Sequence, residues 1–150
     1  MKELKFKYET KECVQGQELL RYVAHKRMEM IEEEVQAHYP GAHIVLQERE
    51  EGRLHISILW EGHPIGEEFI ETSTSWDRPE RMKEYRKILA GNTKRLVVLV
   101  PERHASRARL KMLDLNHWWM FYYQVYGYDQ DGHIKKQGRP RFCSLEPGYA

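Results

Sequence analysis

Residues 53–73 read RLHISILWEGHPIGEEFIETS and carry the clearest strand pattern of the sequence. Its first part alternates apolar with other side chains at the two-residue period of a β-strand, through Leu54, Ile56, Ile58 and Trp60. A turn at residues 61–64 leads into a further strand from about Ile65 to Ser73. The stretch from Ala42 to Glu50 comes just before, joined by Glu51-Gly52. Three consecutive strands joined by tight turns predict an antiparallel meander.

Helical patterns flank these strands on both sides. From Gln17 to His38, apolar residues recur at steps of three and four, as in an amphipathic helix, at Leu20, Val23, Ala24, Met28, Ile31 and Val35. After the strands, Asp77 is predicted to cap a second helix that has Pro79 in its first turn and ends at Gly91. We expect its buried face to consist of Met82, Tyr85, Ile88 and Leu89.

The second half of the chain predicts a buried strand and further elements. The run from Leu96 to Val100 is unbroken and apolar, as in a strand covered on both faces. A third helix is expected from Glu102 to Leu115, then an aromatic strand from His117 to Tyr128, a turn and a short return strand. The prediction is one α/β (α+β) domain over residues 1–150, with the order α-β-β-β-α-β-α-β, a mixed central sheet, a core at about 17–128 and a polar tail at about 137–150.

Composition narrows the class of protein. The 150 residues include 24 Lys and Arg against 23 Asp and Glu, a net charge of +1, which argues against coating nucleic acid by bulk charge and leaves a local basic patch possible. No apolar run approaches the ~18 residues of a membrane span, and the first residues lack the apolar region of a signal peptide. We expect a cytoplasmic protein with no membrane partner. Cys13 and Cys143 are interpreted as reduced thiols, with a bridge between them as the alternative.

This order of elements resembles the core of the restriction-endonuclease-like, or PD-(D/E)XK, nuclease superfamily, over roughly Glu18 to Tyr128. The segments 69–73 and 96–102, with the Arg- and Lys-rich helix between them, also resemble nuclease-fold regions in replication and mobilisation proteins of mobile elements. In the superfamily the second strand carries a metal-binding Asp and the third carries Glu-x-Lys, which together hold Mg²⁺ and activate water. The resemblance therefore implies a metal site at the end of the predicted third strand.

Carried onto this sequence, the resemblance places Glu71 at the central carboxylate and Ser73 where the Lys should be. The Asp position is occupied by His55 or Ser57. The catalytic candidates are therefore Glu71, His55 and Ser73, and the metal-ligand candidate is Glu71, with Mg²⁺ or Mn²⁺ as the cofactor if the chain is catalytic. If the strand register aligns them, His55, Ser57 and Glu71 could share a pocket with Glu33 or Glu34. The opposite interpretation is that Glu71 pairs with an Arg or caps the next helix.

Two other site patterns are open. His43, His55 and His63 lie on successive predicted strands, which permits a three-His metal site, although no close His spacing supports it. The hydroxyl run at residues 72–75 precedes a helix and could bind phosphate there, or could only cap the helix.

Two surfaces are candidates for partners. The aromatic strand, with interface candidates Trp118, Trp119 and Tyr122, could stack bases or form a homodimer, including one made by pairing edge strands. Basic residues that could contact the phosphates of DNA or RNA are Arg103, Arg107, Arg109, Lys111, Lys135 and Lys136. The mixed charges of the second helix, by contrast, are expected to pair with each other at i,i+4 spacing.

Three functions follow from these patterns. The leading one is a nuclease-fold protein without an intact catalytic set, which acts as a nucleic-acid-binding or assembly component, such as one of a mobile element. The second is a divergent Mg²⁺- or Mn²⁺-dependent endonuclease that combines Glu71 with another carboxylate, such as Glu33, Glu48 or Glu67. The third is a dimeric interaction module built on residues 117–128. A double-stranded-RNA-binding domain also begins with a helix, three strands and a helix, but its second helix usually opens with lysines, unlike residues 77–80 here.

Overall fold

The computed structural model describes residues 11–91, 95–113 and 123–136, with the side chains of residues 11–15 and 136 excepted. In these ranges the chain forms an α/β fold. The helices are α1 (Lys11–His38), α2 (Pro79–Ala90) and α3 (Ala105–Met112). The strands are β1 (His43–Glu48), β2 (Leu54–Trp60), β3 (His63–Ile70), β4 (Leu96–Pro101), β5 (Tyr123–Tyr128) and β6 (Ile134–Lys136).

All the described strands form a single mixed sheet in the order β1-β2-β3-β4-β5-β6. The first three pair antiparallel, as the meander prediction required. After the α2 crossover, β4 runs parallel to β3, and β5 runs parallel to β4. The mixed sheet and its helices therefore agree with the predicted α/β class.

A separate apolar core covers each face of the sheet. The predicted stripe of α1 packs with Leu54, Ile56 and Ile58 of β2 on one face. On the other face, residues of α2 and α3 pack with Phe69, Val98 and Val125. Because β4 contacts both cores, each of its six residues is buried, as the unbroken apolar run predicted.

The core beneath α1 contains a buried ion pair that the apolar stripe does not reveal. Arg27 and Glu68 are both fully buried, and the guanidinium donates to both carboxylate oxygens, at 2.6 and 2.9 Å. Arg95 donates a further hydrogen bond to Glu68 at 2.9 Å. The Arg27 guanidinium also lies 5.0 Å from the ring centre of Tyr126. Although burial opposes the charge, the bonds to Glu68 raise the pKa of Arg27, so the guanidinium stays charged.

Several predicted boundaries were wrong. The first helix already includes Lys11, where the described residues begin, whereas it was predicted from Gln17. The third strand spans His63–Ile70, so Glu71 and Ser73 follow it, because a turn at residues 72–75 bonds to itself. Arg78, not Asp77, is the N-cap of α2 and makes no side-chain cap bond, whereas Gly91 ends the helix as predicted. The third helix divides into a short 3₁₀ segment, Glu102–His104, and α3.

None of the helices in the described ranges combines the length and apolar character needed to cross a bilayer. Tyr123–Tyr128 is the part of the predicted aromatic strand that the structure describes, and β6 is the predicted return strand. Residues 117–122, the polar tail from 137 and the two cysteine side chains lie outside the described residues. The predictions that concern them therefore stay predictions.

Candidate functional site: an arginine–glutamate centre and a basic surface

The Glu71 carboxylate lies at the end of β3 and is fully buried beneath α2. Arg53, just before β2, donates to both of its oxygens, from Nε at 2.9 Å and from Nη2 at 2.8 Å. The Ser75 hydroxyl donates to Oε1 at 2.6 Å, and the Tyr85 hydroxyl donates a short bond to Oε2. Each carboxylate oxygen therefore has two donors.

A second arginine completes this buried centre. Arg81 of α2 is 2% exposed, and its Nε lies 3.7 Å from Glu71 Oε1 while donating to the Ser75 carbonyl at 2.8 Å. Glu84 accepts from both Arg53 and Arg81, at 2.9 and 3.2 Å. Burial opposes the charge of Arg53, but its bonds to Glu71 outweigh this effect and raise the pKa of the guanidinium. The centre is thus a network of carboxylates and guanidinium groups that extends to the surface through Glu50 and Glu51.

Two tyrosines connect this centre to the rest of the core. Burial, reinforced by the Glu71 charge, raises the pKa of the Tyr85 hydroxyl well above its usual value. Burial likewise raises the pKa of Tyr128, whose hydroxyl donates to the Glu71 carbonyl oxygen at 2.6 Å. Both phenols therefore remain protonated donors at neutral pH.

The donor set around Glu71 does not fit a magnesium or manganese ion. Mg²⁺ requires octahedral coordination by oxygen atoms, supplied by carboxylates and water. Both oxygens of Glu71 instead accept from a guanidinium group and a hydroxyl, and a second guanidinium lies beside them. Two fixed positive charges would also repel a divalent cation. The arrangement matches the alternative in which Glu71 pairs with an Arg.

His55, Ser57 and Glu71 do lie on the same face of the sheet, as their alternation predicted. However, His55 bonds to Glu67 rather than to Glu71, with Nε2 2.5 Å from Oε1. Its ring stacks on Phe69 with ring centres 4.3 Å apart. His55 and Glu71 therefore belong to separate clusters on this face.

The His55 cluster also does not form a serine triad. Arg49 donates to Nδ1 of His55 at 3.2 Å, so Nδ1 is the acceptor and Nε2 carries the proton toward Glu67. Ser57 donates to the same Glu67 oxygen at 3.0 Å. Ser57 Oγ also lies 3.3 Å from His55 Nε2, but that nitrogen carries the proton directed at Glu67 and therefore cannot act as a base for Ser57.

The other carboxylates proposed for this pocket lie elsewhere. Glu34 is on α1, across the sheet, and contacts Arg95 at 3.4 Å. Glu33 is exposed on the same helix, and Glu48 pairs with Arg21 at 2.7 Å. The predicted sharing of one pocket by Glu33 or Glu34 with Glu71 was therefore wrong, because the sheet separates them.

The three-histidine site is also not assembled. His43 and His63 are exposed near one end of the meander, whereas His55 is buried near the other. Among the described residues, the group whose ligand atoms lie within 4.8 Å of one another is Asp129, Asp131 and His133, in the β5–β6 turn. There Asp129 accepts bonds from the backbone of Asp131 and His133, which accounts for the cluster as a turn motif.

The hydroxyl run after β3 serves its own turn. Thr72 Oγ1 accepts from the backbone nitrogens of Thr74 and Ser75, and Ser75 Oγ accepts from the backbone nitrogen of Thr72. Ser73 is exposed, has no contact with Glu71 among the described bonds, and cannot replace the family's Lys as a cation. These bonds favour the structural interpretation over phosphate binding.

A cleft of about 860 Å³ opens at the carboxyl ends of β3, β4 and β5. Ligands of open α/β sheets commonly bind at such ends. Acidic residues outnumber the single cation, Arg103, in its wall, which contains Glu51, Glu102, Asp129 and Asp131. A polyanion such as nucleic acid is therefore poorly matched to the interior of this cleft.

The predicted basic residues of the third helix divide into two sets. Arg103 and Arg107 are exposed, whereas Arg109 and Lys111 are half-buried. Arg107 and Lys111 lie over the ring of Trp76, at 5.7 and 5.9 Å from its centre, and Lys111 also pairs with Asp77. On β6, Lys135 pairs with Glu102 at 3.2 Å, and the side chain of Lys136 lies outside the described residues.

The second helix contributes basic residues that the sequence had assigned to internal pairing. That assignment was wrong: the ion pair within α2 is Arg81–Glu84, and Glu84 points into the buried centre. Lys83, Arg86 and Lys87 are exposed and form no ion pair in the part of the chain that the structure describes. Helical spacing places these three residues on the face opposite Tyr85 and Leu89 and so predicts their exposure, but it does not predict that they lack ion-pair partners.

Helices α2 and α3 are adjacent on one face of the sheet. Met82 and Tyr85 of α2 and Ala108 and Met112 of α3 line the same small gap above β4. The exposed cations of these two helices define a region that we call the α2–α3 surface, which consists of Lys83, Arg86, Lys87 and Arg107. On the other face, α1 exposes the carboxylates of Glu29, Glu32, Glu33 and Glu34.

The interface candidates Trp118, Trp119 and Tyr122 lie outside the described residues. Comparison of the chain with protein-family models, with curated proteins and with solved structures found no match. The resemblance to restriction-endonuclease-like proteins therefore stays a prediction.

Proposed function

We propose that this chain binds nucleic acid on a restriction-endonuclease-like scaffold that has no metal-dependent cutting centre. The observation that carries the proposal is the α2–α3 surface, where Lys83, Arg86 and Lys87 are exposed without a carboxylate partner among the described residues. Cations that are not neutralised by the protein are available to phosphates, and their binding releases counterions from the nucleic acid. Such contacts position a nucleic acid without reading its sequence.

The near-zero net charge is compatible with this function because the charges are segregated. Most of the charged side chains exposed on α2 and α3 are basic, whereas those exposed on the second half of α1 are mostly acidic. A chain with a net charge of +1 can therefore present a positive potential on one face alone. We expect nucleic acid to contact the α2–α3 face and to avoid the α1 face.

The scaffold supports binding in preference to cutting. The order of helix, antiparallel meander, crossover helix and parallel strand is the order that the resemblance implies. At the strand positions where that family holds its metal, Arg53 and Glu71 neutralise each other. The Arg53 guanidinium thus takes the place of a metal ion beside Glu71, and the endonuclease alternative lacks a set of metal ligands there.

The test is a fluorescence-anisotropy titration of labelled duplex DNA, single-stranded DNA and RNA at several salt concentrations. We expect salt-sensitive binding that weakens in the variant Lys83→Gln/Lys87→Gln. The matched control is Gln17→Glu/Gln36→Glu, which lowers the net charge equally at exposed positions of α1, on the other face of the sheet. For a duplex, each lost phosphate contact should reduce the slope of log K against log salt by about 0.9.

Either of two results would overturn the proposal. One is the absence of binding at low salt; the other is equal weakening by the test and control variants, which would indicate bulk charge rather than a surface. The same mixtures, incubated with Mg²⁺, Mn²⁺ or EDTA, test for cutting on denaturing gels. Metal-dependent cutting that Glu71→Gln abolishes, in a variant shown by circular dichroism to be folded, would favour the endonuclease alternative instead.

A further inference from the structure

The two edges of the sheet differ in their protection against pairing with another strand. The β6 edge has three residues and includes Lys135 and Lys136, and short strands and lysines are features that discourage edge-to-edge association. The β1 edge has six residues, without Lys or Pro, and contains the aliphatic run from Ile44 to Leu46. In the described ranges no strand pairs with the outer side of β1.

The backbone of β1 shows which residues offer hydrogen bonds to a neighbour. Arg49 donates its backbone N–H to the Arg53 carbonyl at 2.8 Å, which closes the β1–β2 hairpin with a hydrogen-bonded pair. Hydrogen-bonded and non-bonded pairs alternate along an antiparallel ladder. Val45 and Gln47 therefore direct their backbone groups toward β2, whereas Ile44 and Leu46 direct theirs outward.

This alternation restricts how two copies of β1 can pair antiparallel. A register centred on Leu46 places His43 opposite Arg49 and Ile44 opposite Glu48. It therefore sets two basic side chains against each other and an apolar side chain against a carboxylate. A register centred on Val45 places Val45 opposite its own copy and Ile44 opposite Leu46, with His43 opposite Gln47. In this register no two like charges face each other, and β-branched and aliphatic side chains form the cross-strand pairs.

We infer that a second copy of this chain pairs along the outer edge of β1, antiparallel, with Val45 opposite Val45. Val45 is 37% exposed on the face away from α1, and this pairing covers it. The two six-stranded sheets become one continuous sheet, with the two-fold axis perpendicular to it. Both α2–α3 surfaces then lie on the same side. Because one strand pair contributes less than the ~1,200 Å² of a stable interface, the dimer should depend on protein concentration.

The first experiment is sedimentation velocity of the full chain over a wide range of concentrations. We expect the average mass to rise toward that of a dimer. Val45→Lys, which sets two cations against each other, should raise the dimer dissociation constant about tenfold, a change of about 1.4 kcal/mol. The control Val45→Thr keeps a β-branched side chain and should associate like the unchanged protein. A monomer at every concentration, or equal association of the Lys and Thr variants, would overturn the inference.

A disulfide test examines the register itself. In a Cys13→Ser/Cys143→Ser background, Val45→Cys places two thiols on a non-bonded pair, whose Cα separation of about 4.5 Å falls within the range for disulfides. Mild oxidation should yield a covalent dimer. Gln47→Cys, which faces His43 of the other copy, is the matched control and should cross-link far less. Cross-linking of the Gln47 variant in preference to the Val45 variant would contradict the proposed register.

Discussion

Arg53 and Glu71 form a two-bonded ion pair across β2 and β3, with neither side chain exposed to solvent. A buried ion pair is weak evidence for stability by itself, because the desolvation of both charges offsets their attraction. Loss of one partner is different, since the other charge then remains buried without its two-bonded partner, and only Arg81 is left beside Glu71 or Glu84 and Glu50 beside Arg53. The pair should therefore show strong energetic coupling.

A double-mutant cycle measures this coupling. We expect Arg53→Met and Glu71→Gln each to lower the free energy of unfolding by about 3–5 kcal/mol, because each leaves a buried charge without its partner. The double variant should cost clearly less than the sum of the two single changes. Urea-induced unfolding provides the free energies. Lys135→Gln, which breaks an exposed pair with Glu102, is the control and should change stability by less than about 1 kcal/mol. Strict additivity of the two buried changes would contradict the prediction.

Divalent cations should not stabilise the protein through Glu71. A ligand that binds only the native state raises the unfolding temperature as its concentration exceeds the dissociation constant, but the Glu71 oxygens already accept from Arg53, Ser75 and Tyr85. We expect the same unfolding temperature in Mg²⁺, Mn²⁺ and EDTA by differential scanning calorimetry. Asp129→Asn serves to identify a shift that arises in the β5–β6 turn. A metal-induced rise that persists in Asp129→Asn would argue for an ion at the centre.

Stability should decline in alkali as tyrosines ionise. The pKa of Tyr85 is raised by burial and by Glu71 above its ordinary value of 10.0, so the unfolded chain releases this proton at a lower pH than the native chain. The contribution of Tyr85 is therefore complete below pH 10.0 and is lost as the pH rises toward the native pKa. Urea unfolding at a series of pH values above neutrality should show this fall. Tyr85→Phe should make the fall less steep, and an unchanged slope would exclude Tyr85 as its source.

Two glycines in turns provide a test of packing between the β5–β6 turn and α1. Gly62 and Gly132 both have positive φ, at +83° and +85°, so alanine at either position should cost about 1–2 kcal/mol of backbone strain. Only at Gly132 would the added methyl group meet the ring of Tyr22, whereas nothing lies within 4 Å at Gly62. Gly132→Ala should therefore lower the unfolding free energy more than Gly62→Ala, by about 1–3 kcal/mol. Equal costs would indicate that Tyr22 moves aside.

Elements with a clear apolar period were the most predictable from the sequence. The alternation of Leu54, Ile56 and Ile58 correctly predicted β2, and the unbroken run at residues 96–100 correctly predicted a strand buried on both faces. Gly91 correctly marked the end of α2. In each case the deciding interaction is local, or depends only on which residues are apolar.

The polar centre could not be predicted in the same way. Arg53 and Arg81 appear in the sequence as ordinary surface cations, and their burial depends on the register that sets Arg53 beside Glu71 and on the position of α2 above both. The assignment of Lys83 and Lys87 to internal helix pairs failed for a related reason, since Glu84 is already engaged by the buried arginines. Partners that are distant in sequence decide both outcomes.

The two buried ion pairs also affect which register the strands of the sheet adopt during folding. Glu68 and Glu71 lie on opposite faces of the β3 region, and each is held by an arginine on its own side. A slip of one residue would exchange the faces of the strand and leave both carboxylates in apolar surroundings, without a guanidinium. Misaligned sheets that still bury hydrophobic side chains would thus carry two uncompensated charges. The two arginines therefore favour the correct alignment of the strands over a shifted one, whether or not a ligand is bound.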